Sequence, residues 1–254
     1  MLFLLPPSET KEVGGSPLSI SQVALTFGGL NPARDAVYEA LRALCERPEE
    51  AAKVLKLGKK QLDQIAINLE VQDAPTMPAI NRYTGTLYDA IHGRGLKGTP
   101  TEHNQITKEM FERAKDIVLI QSALFGLIPA TNLIPNYRLS GTTNLPSISL
   151  KDTWTPAHEP IWKRLENGPI IDLRSKAYAE LAPIPEDVEH YWVEVLDSNS
   201  GKALNHFNKK GKGQLINAVL SAKVEPKAIA DLKKIAESIG QRIQLDGSVI
   251  NLYV

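Results

Sequence analysis

The stretch Ile170-Ile171-Asp172-Leu173-Arg174-Ser175-Lys176-Ala177-Tyr178 decides the fold class, because a short apolar run here ends in a cluster of polar groups. A continuous apolar run bounded by polar residues is typical of a buried strand. Leu2-Phe3-Leu4-Leu5 is a second such run, and Pro6-Pro7 ends it because proline cannot donate to a strand ladder. Residues 117–120 form a third. In open α/β sheets, ligands bind beyond the carboxyl ends of the strands, so the polar groups that follow these runs are candidate site residues.

Helical periodicity accounts for much of the remaining chain and predicts a mixed α/β (α+β) fold in one domain over residues 1–254. The order of the elements lacks the regular alternation of a doubly wound sheet. Residues 141–168 are rich in Thr, Ser, Asn and Pro, and we expect them to form a long irregular excursion. The predicted helices cover 32–45, 48–57, 61–71, 110–115, 213–221 and 226–238, and further strands are predicted over 191–196, 202–207 and 248–254.

Composition restricts the classes of function that the chain can have. The 29 basic and 29 acidic side chains balance, so any contact with nucleic acid must come from a local patch. Cys45 is the only cysteine, which excludes an intrachain disulfide and a cysteine-based zinc site, and we expect it to be buried. The five histidines show no metal-binding spacing, so neither a metal nor another cofactor is predicted. No apolar run approaches the roughly 18 residues of a membrane span, and we expect a cytoplasmic protein that does not bind membranes.

The clearest local charge feature is His206-Phe207-Asn208-Lys209-Lys210-Gly211-Lys212-Gly213-Gln214-Leu215. Residues 198–223 contain five lysines and no acid. A flexible basic loop that leads into a helix suits phosphate, because glycines let N–H groups approach an anion and the helix dipole adds positive potential. The spacing does not match the Walker A motif. The segment therefore predicts a polyanion site at Lys209, Lys210 and Lys212, and the alternative is a solvated lysine turn.

Two further segments combine arginine with tyrosine. Arg82-Tyr83-Thr84-Gly85-Thr86-Leu87-Tyr88-Asp89 offers a planar guanidinium for phosphate and two rings for stacking. Tyr137-Arg138 repeats the combination beyond another apolar run. The alternative for the first segment is a turn whose tyrosines belong to the core.

The polar groups that follow the strands are the remaining candidates. Asp172, Arg174, Ser175 and Tyr178 lie where a ligand would bind, although an Asp–Arg pair that closes the strand explains two of them equally simply. The polar cluster after the first strand is expected to face the same cleft, and it comprises Ser8, Glu9 and Lys11.

Residues 51–66, with Gly58-Lys59-Lys60 at their centre, have the outline of a helix–hairpin–helix element. Such a hairpin presents backbone N–H groups to a DNA phosphate without reading bases. The usual second glycine is missing, so an ordinary break between two helices explains the segment equally well.

Taken together and in order, these segments resemble the YaaA family of peroxide-stress proteins. The resemblance implies a cytoplasmic mixed α/β fold peculiar to that family, a helix–hairpin–helix element and a positively charged cleft. It also implies DNA binding and a role in limiting iron-driven oxidative damage, without a metal ligand set or a settled catalytic activity. The matching segments are 2–9, 82–88, 121–128, 134–139, 171–178 and 207–213.

These observations leave two main hypotheses about function. The first is a protein that binds double-stranded DNA without strong sequence specificity, through Lys209, Lys210, Lys212, Arg82, Arg138 and Arg174. The second is an enzyme acting on a nucleotide or nucleobase in the same cleft, with Asp172 as its acid/base. A scaffold protein with a functionally neutral cleft is a third alternative. The residues expected to line the cleft are Ser8, Glu9, Lys11, Tyr83, Thr84, Tyr88, Ser175 and Tyr178.

Overall fold

A computed structural model describes residues 1–93, 106–165, 168–204 and 208–254. A seven-stranded sheet runs through this part of the chain in the order β4-β3-β1-β6-β7-β9-β8, and a second, two-stranded sheet pairs β2 with β5. The strands are β1 Leu2–Leu5, β2 Met77–Pro78, β3 Val118–Ser122, β4 Gly126–Pro129, β5 Leu133–Ile134, β6 Ile170–Asp172, β7 His190–Leu196, β8 Arg242–Asp246 and β9 Val249–Tyr253.

The middle of the large sheet is parallel, and its two edges are antiparallel. β1 pairs in parallel with β3 and β6, β7 continues the parallel order to β9, and β4 and β8 close the edges. All four residues of β1 are buried, as expected for a parallel strand covered on both faces. The predicted buried strands and the mixed α/β fold class are thereby confirmed.

Ten helices surround the sheets in the described part of the chain. They are α1 Asn31–Cys45, α2 Pro48–Val54, α3 Asp63–Leu69, α4 Ala79–Arg82, α5 Thr86–Ile91, α6 Lys108–Ile117, α7 Leu150–Trp162, α8 Lys176–Leu181, α9 Asn208–Ser221 and α10 Ile229–Ser238. Cys45 ends α1 with a buried thiol, as predicted. Within the described ranges, no helix has the length and apolar character that crossing a membrane requires.

The prediction that residues 141–168 form an irregular excursion is wrong for the central part of that segment, which forms α7. The hydroxyl of Ser149 caps the helix by accepting from the N–H of Asp152 at 3.2 Å. A buried ridge at every fourth position packs the helix against the core, and it consists of Leu150, Trp154, His158 and Trp162. Two prolines lie inside the helix, so this ridge outweighs the backbone hydrogen bonds that they remove.

The prediction of a flexible loop around Lys209 is also wrong, because residues 209–213 belong to the first turns of α9. Their glycines serve helix packing. A Cβ at Gly213 would overlap the Leu87 carbonyl oxygen of α5 and approach the Ala90 Cβ to 2.7 Å. Residues 205–207 lie outside the described residues. Of the strand predicted over 202–207, the described residues 202–204 form a bridge, between Ala203 and Leu196.

Gly213→Ala tests whether close contact between helices is the reason for this glycine. In an open helix, alanine would be more stable than glycine by about 1 kcal/mol. Here we expect the opposite sign, a loss of about 1–3 kcal/mol in the free energy of unfolding, because the added methyl group forces α9 away from α5. Urea unfolding measures the difference, with Gln214→Ala on the exposed face of the same helix as control. A stabilised Gly213→Ala variant would contradict this packing.

Candidate functional site

A buried ion pair between Asp172 and Arg174 organises the carboxyl end of β6. One carboxylate oxygen of Asp172 accepts from the backbone N–H and the Nε of Arg174 at 3.0 and 2.9 Å. The other oxygen accepts from Nε and Nη2 at 3.2 and 2.8 Å. Both side chains are almost fully buried. Both Asp172 oxygens are therefore engaged by one guanidinium, which favours the structural interpretation of this aspartate over the acid/base one.

The same short segment connects three helices to the sheet. Arg174 Nη1 donates to the carbonyls of Tyr178 and Ala182, at 3.3 and 2.8 Å, which fixes α8. The Arg174 guanidinium also lies 5.6 Å from the ring centroid of Trp162 on α7. Lys212 of α9 donates to the carbonyl of Leu173 at 3.1 Å. Arg174 is thus a structural arginine, and its donors point into the protein.

A cavity of about 380 Å³, here called the β6–β7 cavity, opens beside this segment. Lys212 borders it, with 4% of its surface exposed and its Nζ 5.4 Å from the ring centroid of Trp192. Burial lowers the pKa of Lys212 to about 8, while Asp172 and Glu194 act in the opposite direction. The charged and polar side chains lining the cavity are Arg174, Ser175, Lys176, Glu194, Asn208, Lys209 and Lys212.

A second polar group surrounds Lys11, in the loop that follows β1. Its Nζ donates to the carbonyls of Ser8 and Glu9, at 3.0 and 3.4 Å. The same atom lies 4.0 Å from the ring centroid of Tyr137 and 5.5 Å from that of Tyr83. Burial, together with the positive charges of Arg138 and Arg82, lowers the pKa of Lys11 to about 7, against the opposing effect of Glu9.

The tyrosines beside Lys11 form a buried hydroxyl chain. The Tyr137 hydroxyl lies 2.8 Å from the Tyr83 hydroxyl and 2.8 Å from Ser122 Oγ. Tyr88 stacks near Tyr83, with 5.3 Å between ring centroids, and its hydroxyl donates to the carbonyl of Pro6. Burial raises the pKa of each of these three phenols, so they remain protonated donors at neutral pH.

The rim of the Lys11 group is polar and more exposed. Arg138 Nη1 forms an ion pair with Glu9 at 2.9 Å, in which the glutamate side chain is 57% exposed and the arginine 13%. The Tyr178 hydroxyl accepts from the N–H of Gly141 at 3.0 Å, and burial raises its pKa to about 12. Ser8 Oγ lies 3.2 Å from Thr10 Oγ1, which donates to the carbonyl of Thr84.

Arg82 has a structural role, although its place in the sequence predicted a phosphate ligand. It is fully buried, and its guanidinium donates to the carbonyls of Ile134, Glu12, Gly14 and Pro75. Those bonds join the loop after β1 to the small sheet. We therefore leave Arg82 out of the phosphate-binding set.

The predicted site residues thus fall into two adjoining groups. Ser8, Glu9, Tyr83 and Arg138 interact with Lys11, Thr84 bonds to the neighbouring Thr10, and Tyr178 lies near Glu9 and Arg138. Arg174, Ser175, Lys209 and Lys212 line the β6–β7 cavity. Pro6 connects the two groups, because it borders the cavity and accepts from Tyr88. Lys210 lies half-exposed in the first turn of α9. Trp192 and Glu194 of β7 also border the cavity, and the sequence gives no signal for them other than strand periodicity.

Residues 51–66 form parts of α2 and α3, joined by a 3-10 turn over Lys59–Gln61. Two of the N–H groups at this junction already have partners within it, because Gly58 donates to Gln61 Oε1 at 3.0 Å and Leu57 to the carbonyl of Ala52 at 2.8 Å. The exposed lysines of the turn are Lys59 and Lys60. Across the described residues, no group of three or more His, Cys, Asp or Glu side chains is arranged to hold a metal ion.

The fold and this edge define a single-domain mixed α/β protein with a lysine-lined cavity at the ends of its parallel strands. The family model for peroxide stress protein YaaA matches residues 1–242, and the chain belongs to that family. The UPF0246 protein Cgl1995/cg2186 of Corynebacterium glutamicum is 37% identical over 246 residues, which cover 94% of this chain and 93% of that protein. The UPF0246 protein SCO2297 of Streptomyces coelicolor is 33% identical over 251 residues, covering 97% and 93%.

Asp172→Asn tests the structural interpretation of the ion pair. Loss of the carboxylate leaves the Arg174 charge buried without its partner, so we expect the free energy of unfolding to fall by about 3 kcal/mol. A double variant, Asp172→Asn with Arg174→Gln, should lose less than the sum of the two single changes, because no charge then remains buried alone.

The control for this prediction is an exposed ion pair on α1. Glu39→Gln removes one of the two carboxylates paired with Arg42, the other being Glu46, and we expect a loss below about 1 kcal/mol because these side chains are solvated. Chemical denaturation of all four variants gives the comparison. If Asp172→Asn matched the parent in stability, the buried pair would not be the structural centre described above.

Proposed function

We propose that this protein binds double-stranded DNA through the phosphate backbone at the β6–β7 cavity, within the cytoplasmic response to peroxide stress. The observation that carries the proposal is the convergence of Lys176, Lys209 and Lys212 on one cavity, in a chain with no net charge. Lysine and helix N-termini are common phosphate ligands, and phosphate contacts supply most non-specific DNA affinity.

The three lysines differ in depth, which suits a groove that follows a DNA strand. Lys176 and Lys209 are exposed at the first turns of α8 and α9, and Lys212 lies at the bottom. Among the described residues that line the cavity, Glu194 is the only one with a carboxylate, and it lies near Lys212. The exposed pair would contact successive phosphates, while Lys212 fixes the cavity wall. Lys210, half-exposed in the first turn of α9, would add a third positive charge beside Lys209.

Family membership gives the biological setting of the proposal. A protein that covers DNA during peroxide stress limits the access of iron and its oxidising products to the strand, which is the protective role that we propose. Nucleotide chemistry at Asp172 is less well supported, because Arg174 occupies both oxygens of that carboxylate.

The salt dependence of DNA binding tests the proposal, and it distinguishes the β6–β7 cavity from the turn between α2 and α3 as the binding surface. We expect Lys176→Ala/Lys209→Ala to reduce the slope of log affinity against log salt by about 0.9 for each lost phosphate contact. The matched control is Lys59→Ala/Lys60→Ala, which removes two exposed lysines from the turn between α2 and α3. Fluorescence anisotropy with a labelled duplex, from about 50 to about 200 mM salt, measures both slopes.

The two double variants give opposite results under the two interpretations. If the cavity binds DNA, only the first variant loses slope. If the turn between α2 and α3 binds DNA in the manner of a helix–hairpin–helix, only the second one does, and the proposed location is wrong. A parent protein that shows no salt-dependent binding of duplex DNA would overturn the function itself.

A further inference from the structure

Among the described residues, the Lys11 amine bonds to backbone carbonyls, those of Ser8 and Glu9. The carboxylate of Glu9 is bound by Arg138. The Lys11 side chain is half-buried and lies against the face of Tyr137. A lysine whose task were to bind phosphate would gain from full exposure, so this placement suggests chemistry at the nitrogen instead.

The surroundings of Lys11 favour the neutral amine at physiological pH. Burial is the largest influence, and the positive charges of Arg138 and Arg82 add to it, so that the pKa falls from the usual 10.5 to about 7. The carbonyl acceptors and the ring face hold the Nζ in one place. A neutral, positioned lysine amine is the nucleophile that attacks carbonyl carbons in imine-forming proteins.

The two sides of the Lys11 amine differ in chemistry. Tyr83 and Tyr137 form a buried wall whose phenols remain protonated. The exposed side presents the hydroxyls of Ser8 and Thr10, which suit a sugar. The β6–β7 cavity adjoins this group through Pro6. A strand bound at the cavity would therefore lie beside Pro6, whose carbonyl bonds to Tyr88 next to the Lys11 group.

We propose that Lys11 forms an imine with the aldehyde of a ring-opened abasic site in DNA. This inference rests on the DNA binding proposed above and names the kind of DNA that the same edge would recognise. Loss of a base leaves deoxyribose with an aldehyde at C1′, a functional group that intact DNA lacks. The nitrogen lone pair forms the new C–N bond, the two amine protons leave with the carbonyl oxygen as water, and a neutral C=N product remains. The step needs neither an oxidant nor a reductant.

Borohydride trapping tests this inference on the full chain. Reduction converts the imine into a stable amine, so a duplex with one abasic site should become covalently attached to the protein and migrate as a single adduct on a denaturing gel. Lys11→Arg replaces the amine by a guanidinium of similar length that cannot form the imine, and we expect the adduct yield to fall by about tenfold or more. Lys234→Arg, an exposed lysine of α10, is the matched control and should trap as the parent does.

A pH series on the parent provides a second measurement that does not depend on a variant. The trapping rate should rise with pH through a midpoint near 7, where the Lys11 amine loses its proton, instead of near 10.5. Peptide mapping of the adduct should place the attached sugar on residue 11. A midpoint near 10.5, attachment at another lysine, or equal trapping by Lys11→Arg would overturn the inference.

Binding of an intact duplex, measured in parallel, distinguishes the two proposals. Binding of the intact duplex without trapping of the abasic one would refute the role of Lys11 and leave the DNA-binding function standing. Trapping at Lys11 by a protein that does not bind the intact duplex would refute that function and support the amine chemistry. Absence of both would refute both.

Discussion

The ion pair between Asp172 and Arg174 is the interaction on which the arrangement of this edge depends. Asp172 is the last residue of β6, the central strand of the large sheet, and lies opposite Leu4 of β1 and Trp192 of β7. Its partner reaches two carbonyls of the segment after β6 and the ring of Trp162. A buried pair contributes little net stability, but a single charge left in its place is costly. The pair therefore specifies one arrangement of α7 and α8 against the sheet.

The second constraint is the close approach of α9 to α5, which Gly213 makes possible. This contact fixes the helix that carries Lys209 and Lys212, so the lysines project from a rigid element. Lys212 bonds to the carbonyls at the end of β6 and so connects α9 to the ion pair. The cavity is thus formed by contacts that also stabilise the fold.

Much of the sheet could be predicted because continuous apolar runs such as Leu2–Leu5 have few alternatives to burial between parallel strands. The helix α7 could not be predicted, because its prolines and hydroxyl residues are typical of a loop. Only the four-residue spacing of its large buried side chains indicates a helix. The glycines of the basic segment were misassigned for a related reason. A glycine required by a neighbouring helix and one required by a phosphate look identical in a sequence.

The roles of the arginines near the site could not be predicted from the sequence either. Arg34, Arg82 and Arg174 are all buried and bonded to backbone carbonyls, whereas Arg138 lies at the rim. No local sequence pattern distinguishes a buried arginine from one at the rim, because the carbonyls that bind the buried guanidinium groups come from distant parts of the chain. The convergence of Lys11 with Tyr83 and Tyr137 likewise depends on tertiary structure.

We propose that DNA binds at the β6–β7 cavity. Hydrogen exchange of backbone amides, followed with and without a saturating duplex, locates the bound surface without any mutation. We expect slower exchange at residues 174–178 and 208–213, at the starts of α8 and α9, and no change at residues 55–62. Protection confined to residues 55–62, with the cavity unaffected, would contradict it.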